Sequence, residues 1–214
     1  MLYRRQEARE YFRSLPPSKW EPELGALRKF YVNQRRDVVQ MIEVDETHIA
    51  DVCCGRGRIA VEIAERGKYV CGVDLNLSFL KEAKSKIPEG HFICADAANL
   101  PFRGRSFDIA ICIQALVHLR DSEKAIRELA RVSKKKVIVD MWLKGIQNTL
   151  SGGIISAIRY YAYYLFLIKL FNYPELSHRM SEEDFISIMR SLGGTISKIG
   201  HGPYLTICAQ LEDS

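Results

Sequence analysis

The chain has 214 residues, 47% of them hydrophobic and 27% charged, which is enough apolar material for one substantial core and requires no second domain. The net charge of +5 is compatible with an RNA or anionic-membrane partner, although solvated basic faces are the commoner reason for so mild an excess. MLYRRQEARE at the start contains no apolar run, so no secretory signal is expected and the expected compartment is the cytoplasm, with peripheral membrane contact as a variant.

Residues 1–47 read as an N-terminal helical cap, broken at Leu15-Pro16-Pro17-Ser18. Its second helix is expected from about Leu24 to Ile42, where Leu24, Leu27, Tyr31, Val38 and Ile42 recur at near-helical spacing. Trp20, Phe30 and Tyr31 either close over a ligand or simply pack.

From His48 the pattern changes to apolar strands alternating with helices, which predicts a parallel sheet covered on both faces. Strands are expected at 48–53, 68–73, 91–95, 107–113 and 136–141, and helices near 58–66, 78–86 and 121–132. The near-continuous run Ile109-Ala110-Ile111-Cys112-Ile113 suits a strand buried on both sides. Cys53, Cys71, Cys94 and Cys112 fall in or at the end of these strands and Cys208 in a further one near the C-terminus, where thiols act as small hydrophobes; no CxxC or close Cys/His pair suggests a metal.

The centre of this pattern is HIADVCCGRGRIA, residues 48–60. A strand ending in Asp51 breaks into a loop at Gly55 and Gly57 and continues as a helix, so backbone N–H groups face a ligand where no Cβ obstructs it. In wound sheets ligands bind at the carboxyl ends of strands. Four such ends carry usable groups: Asp51, Asp74, Asp96 and Gln114. Each has an ordinary alternative, since an aspartate there can also cap a turn or helix. Together they form a polar line suited to a nucleoside.

These residues resemble the class I S-adenosylmethionine-dependent methyltransferases over about residues 45–142, with a recognisable tail at 180–210. The family's Asp-x-Gly-x-Gly-x-Gly stands here as Asp51-Val-Cys53-Cys-Gly55-Arg-Gly57. CGVDLN supplies the ribose acid at Asp74, ADAANLPF the adenine-side acid at Asp96, and SFDIAICIQALVHL the following strand. AIRELARVSKKKVIVDMW resembles the family's next helix and fifth strand, and SEEDFISIMRSLGGTISKIGHGPYLTICAQ its last helix and closing hairpin. Cys53 replaces the usual first glycine. Arg56 replaces a residue that is often small and polar, and its guanidinium either turns inward to a carboxylate or faces solvent.

The resemblance implies an α/β, doubly wound, mostly parallel seven-stranded sheet with an antiparallel C-terminal strand. It implies methyl transfer from S-adenosylmethionine, without metal, to a small acceptor. Asp51, Cys53, Gly55 and Gly57 would surround the methionine part, and Asp74 would accept from the ribose hydroxyls with Leu75 packing on adenine. Asp96 would accept from the adenine amino group, the Ala97 backbone would touch the ring, and Gln114 would lie near the sulfonium. No catalytic residue is assigned. His118 is either a general base for the acceptor or simply the start of the helix after the fourth strand, and His178 and His201 are weaker candidates.

Gly55-Arg-Gly57-Arg-Ile-Ala60 also satisfies the dinucleotide fingerprint of an NAD-dependent dehydrogenase. Asp51 before the loop, Asp96 at the third strand end and the lack of a Tyr-x-x-x-Lys pair weigh against that alternative. IISAIRYYAYYLFLIKLF, residues 154–171, sits where this fold commonly inserts an acceptor-binding cover. We expect a hydrophobic helical cover over 145–180 above a lipophilic acceptor, an interfacial membrane helix or a homodimer contact. An RNA acceptor and a non-catalytic cofactor-binding partner subunit remain the alternatives.

Overall fold

The computed structural model describes residues 5–15, 28–119, 121–142, 182–201 and 204–211. The expected cover at 145–180, Trp20 and His178 lie largely or wholly outside them. Two N-terminal helices, α1 (Arg5–Ser14) and α2 (Arg28–Gln40), precede β1 (His48–Val52), α3 (Arg58–Glu65), β2 (Tyr69–Asp74), α4 (Leu77–Lys86), β3 (His91–Cys94) and β4 (Phe107–Cys112). A 3₁₀ turn (Leu116–His118) leads to α5 (Ser122–Val132), β5 (Ser133–Trp142), α6 (Glu182–Ser191), β6 (Gly194–His201) and β7 (Tyr204–Leu211).

The seven strands lie in the order β3-β2-β1-β4-β5-β7-β6. β1 to β5 pair in parallel, and β7 runs antiparallel to both β5 and β6. The order reverses direction beside β1, where β2 and β4 flank it on either side, so the glycine loop after β1 opens at the sheet's switch point.

Successive strand side chains point to opposite faces, and each face has its own core. Ala50, Val52, Ala110, Cys112, Val137 and Val139 pack with Leu129 of α5 and Phe185 of α6. Their neighbours Ile49, Ile109, Ile111 and Ile138 pack with Val38 of α2 and Ile63 of α3. This two-sided burial is why the strands read as continuous apolar runs.

Strand ends differ from the sequence expectation by a residue or two, with one instructive case. β5 begins at Ser133 rather than 136, taking in the lysine run. Lys136 is buried with its Nζ 2.9 Å from Glu46 Oε1 and 2.8 Å from Glu43 Oε1. Lys134 reaches Asp108 and Lys135 reaches Asp45. The basic cluster is therefore matched by acids at the amino ends of the strands, opposite the rim that carries the glycine loop. His201 ends β6, the outermost strand, far across the sheet from that loop. Among the described residues no helix is long and apolar enough to cross a membrane, and no group of three metal-ligating side chains occurs.

Candidate functional site

A cavity of about 680 Å³ opens at the carboxyl ends of β1, β2, β3 and β4. It is lined by Asp51, Cys53, Gly55, Asp74, Leu75, Asp96, Ala97 and Gln114, which brings eight of the nine site residues expected from sequence to one place. The ninth, Gly57, stands behind the wall as the residue before α3, at φ 74°. A Cβ there would lie 2.8 Å from the Ala83 Cβ of α4, so glycine is needed both for backbone conformation and for the close approach of α3 to α4.

The loop is tied down by hydrogen bonds that begin in the neighbouring strand. Cys54 N–H donates to the Val73 carbonyl at 3.0 Å and Gly57 N–H to the Cys54 carbonyl at 3.0 Å. Asp74, at the end of β2, accepts from Gly55 N–H and from Asn76 N–H, each at 2.9 Å. Burial nonetheless raises its pKa. The helix after β2 is capped by Asn76 rather than Asp74: Asn76 Oδ1 accepts from Ser78 N–H at 2.9 Å and Phe79 N–H at 3.2 Å. The amide of Asn76 also donates to the Phe12 and Leu15 carbonyls at the end of α1, both at 2.8 Å. One side chain thus joins α1 to the rim, and Phe12 enters the cavity wall with its ring 4.8 Å from that of His118.

Asp51 has two different oxygens. Its carboxylate accepts from the Ala60 N–H in the first turn of α3, so the cap reading is partly realised, but Oδ2 is buried with no partner. Desolvation, then the nearby Asp74 charge, push its pKa up to about 7, against the pull of Arg58 and the Ala60 N–H. An unpartnered carboxylate oxygen in a cavity wall is a receptor for a cation.

Cys53 explains the family preference it breaks. Its φ is 60°, left-handed, where a side chain costs about 1–2 kcal/mol. The thiol is hydrogen-bonded to Cys112 of β4, and that bond together with burial keeps it protonated. Cys53 is therefore a turn residue rather than the last strand residue. Gln114 is likewise left-handed at φ 62°, so the ends of β1 and β4 facing the cavity are both strained.

Arg56 points at α4, where Nε lies 2.8 and 2.7 Å from the two Glu82 oxygens. Asp96 accepts from the Ala98 N–H at 3.0 Å, the ordinary turn contact, while remaining in the cavity wall. His118 closes a 3₁₀ turn and is not the start of a helix, since α5 begins at Ser122 with Asp121 as its cap. Desolvation lowers the His118 pKa to about 3, so its ring is neutral at physiological pH.

Three residues that sequence reasoning missed join the site. Arg58 lines the cavity, donates from Nη2 to Gln114 Oε1 at 2.8 Å and lies 5.4 Å from the centre of the Tyr31 ring. Gln34 of α2 and Asp140 of β5 are buried behind Gln114. An acid inside the apolar run VIVDMW was the available signal for Asp140; nothing local marks Gln34.

Residues 50–139 match the family model described as a methyltransferase domain. The chain therefore carries a methyltransferase domain over that stretch. The chain is 32% identical over 105 residues to demethylmenaquinone methyltransferase of Thermotoga maritima, covering 48% of this chain and 46% of that one. It is 39% identical over 92 residues to O-methyltransferase resE of Aspergillus sclerotiorum, covering 40% and 35%. The matched regions span about half or less of these curated relatives. In fold it is similar to magnesium protoporphyrin IX methyltransferase of Synechocystis PCC 6803 with bound SAH, with a TM-score of 0.72, 19% identity and coverage of 97% and 99%.

The cavity residues fit the family's cofactor on a point independent of that likeness. The buried Asp51 Oδ2 has no hydrogen-bond partner among the described residues, and the ammonium at the amino-acid end of S-adenosylmethionine is a donor suited to it.

Proposed function

We propose that this methyltransferase holds S-adenosylmethionine along the carboxyl ends of β1 to β4 and transfers its methyl group in line to a small, apolar acceptor. The observation that carries the reading is the unpartnered Asp51 Oδ2 in one cavity with Asp74 and Asp96. Asp51 would take the ammonium, the residual acceptor capacity of Asp74 the ribose hydroxyls, and Asp96 the adenine amino group. Leu75 and Ala97 would flank the ring, and Cys53 would lie against the methionine chain.

When bound, the cofactor would supply an electrophilic methyl on a sulfonium, its S–CH₃ bond being exchanged for a bond to the acceptor, which would give up a proton to water. Alignment by the cavity walls then supplies much of the acceleration. A His118 ring with pKa about 3 is too weak a base to hold that proton, and its part is to form wall with Phe12. The apolar acceptor is supported by Phe12, Phe79, Ile113 and Leu119 in the lining, by the aromatic and aliphatic segment 154–171, and by the demethylmenaquinone in the name of the Thermotoga relative.

Turnover of the purified chain against a panel of quinols, phenols and lipid extracts, read as S-adenosylhomocysteine release, tests the proposal. Release with an apolar acceptor supports it. Deleting 150–172 should abolish that release while leaving S-adenosylhomocysteine binding intact; loss of both would assign the segment a purely structural role.

A further inference from the structure

A chain of four polar side chains, from α2, α3, β5 and the loop after β4, runs from behind the cavity to its wall. Asp140, at the end of β5 and 2% exposed, accepts at Oδ1 from Gln114 N–H at 2.6 Å and at Oδ2 from Gln34 Nε2 at 2.7 Å. Gln34 Oε1 accepts in turn from Gln114 Nε2, and Gln114 Oε1 accepts from Arg58 Nη2 at 2.8 Å. The first contact holds Gln114 in its left-handed conformation, and the last reaches the cavity wall.

The order of donors and acceptors in this chain has only one solution. An ionised carboxylate only accepts and a guanidinium only donates, while each glutamine amide does both. With Asp140 at one end, Gln34 must turn its NH₂ inward and its oxygen outward. Gln114 must then present its NH₂ to Gln34 and its oxygen to Arg58. Reversing either amide would set donor against donor or acceptor against acceptor in a region where an unmade hydrogen bond is costly.

We infer that Asp140 and Gln34 are positioning residues that, through Gln114, fix the Arg58 guanidinium in one plane at the amino-acid end of the cavity, where it receives a carboxylate. The Tyr31 ring, 5.4 Å from the Arg58 Cζ, supports that plane from α2. Asp51 stands close enough for its charge to be felt by Arg58, so a cation receptor and an anion receptor are presented to the same end. That pair matches a zwitterionic amino-acid group and no uncharged one. Planar, fixed guanidinium groups bind carboxylates through paired hydrogen bonds. The chain also makes α2 part of the site: Gln34 can close the relay only while α2 lies against β5.

The inference rests on the cofactor assignment above, and two ligands separate the two. S-adenosylhomocysteine carries the amino-acid group; 5′-methylthioadenosine has the same adenosine and sulfur without it. Calorimetric titration of both is carried out on the wild-type chain, on Asp140→Asn, whose amide end allows the whole relay to reverse, and on Gln34→Met, which removes the middle link. Both variants should lose about tenfold or more in S-adenosylhomocysteine affinity, the scale of one charge-assisted hydrogen bond. Their affinity for 5′-methylthioadenosine should stay within about twofold, as expected when the altered contact belongs to the amino-acid end alone. Equal losses for both ligands mark a merely structural role and overturn the inference while leaving the cofactor assignment standing. Unchanged S-adenosylhomocysteine affinity in Gln34→Met overturns it as well, even if Asp140→Asn fails to fold. A wild-type chain that binds neither ligand overturns the cofactor assignment, and the inference with it.

Discussion

Replacing Asp51 by asparagine should make the protein more stable at alkaline pH and worse at binding its cofactor. The Asp51 carboxyl has an ordinary value of 3.8 and a folded value of about 7, so the folded state holds its proton across an interval in which the unfolded chain has lost it. Wherever the folded state binds more protons, stability falls as pH rises. The penalty therefore grows between pH 3.8 and about 7 and is complete above that. Each tenfold change in proton affinity is worth about 1.36 kcal/mol, which brings the full penalty to about 4 kcal/mol. The amide keeps an oxygen for the Ala60 N–H but sets an unpartnered NH₂ where Oδ2 stood, returning about 1–3 kcal/mol of that gain. A net gain of about 1–3 kcal/mol at pH 8 corresponds to roughly 5 °C in Tm for a chain of this size. Thermal unfolding of both proteins at pH 8 and pH 4.5 measures it, and titration with S-adenosylhomocysteine at pH 8 measures the affinity. The gain should shrink or vanish at pH 4.5, and affinity should fall by more than about tenfold, the loss of a buried ion pair. An Asp51→Asn protein equally stabilised at both pH values, or binding as tightly as the wild type, would refute the reasoning.

Three further predictions concern the rim. Gly57→Ala must accommodate a Cβ 2.8 Å from the Ala83 Cβ at φ 74°; conformational cost and overpacking together should remove about 2–4 kcal/mol in denaturant unfolding. Cys53→Gly relieves a left-handed side chain at φ 60° but adds glycine's entropic cost, so stability should change by less than about 1 kcal/mol. S-adenosylhomocysteine affinity in that variant should rise as the thiol leaves the cavity wall, and a clear fall would assign Cys53 a contact of its own. The His118 imidazole, with pKa about 3, should show no titration between pH 5 and 8 by NMR. A titration midpoint inside that window would make the ring a candidate general base again.

The five parallel strands were legible because they are apolar runs buried between amphipathic helices, so local pattern separates them; the closing antiparallel hairpin and the count of seven strands came from the family resemblance. The glycine loop and the four strand-end polar groups were legible for a related reason: the fold places strand ends together, whatever else the chain does. Arg58 was in plain view after Gly57, yet only the folded structure shows that it lines the cavity, held by Gln114 and Tyr31. Gln34 and Asp140 are 106 residues apart in sequence, and no local pattern carries information about such a pair. In VNQRRDVV, Gln34 looks like one more solvated helix position. Cys53 and Arg56 show different outcomes of a departure from the family pattern. Both residues line the cavity; the thiol is accommodated at a strained, left-handed turn, whereas the guanidinium is paired with Glu82. The lysines at 134–136 find their acids in Glu43, Asp45, Glu46 and Asp108, brought beside them only by the parallel pairing of β4 with β5 and by the turn before β1, so no local pattern shows these pairs.

The central claim is that the strand-end cavity holds the adenosyl and amino-acid groups of one cofactor, and a crystal structure of the complex with S-adenosylhomocysteine tests it most directly. The account predicts the ammonium on Asp51 Oδ2, the ribose hydroxyls on Asp74 and the adenine between Leu75 and Ala97. Density for the ligand outside this cavity, or within it with Asp51 Oδ2 still unpartnered, would contradict it.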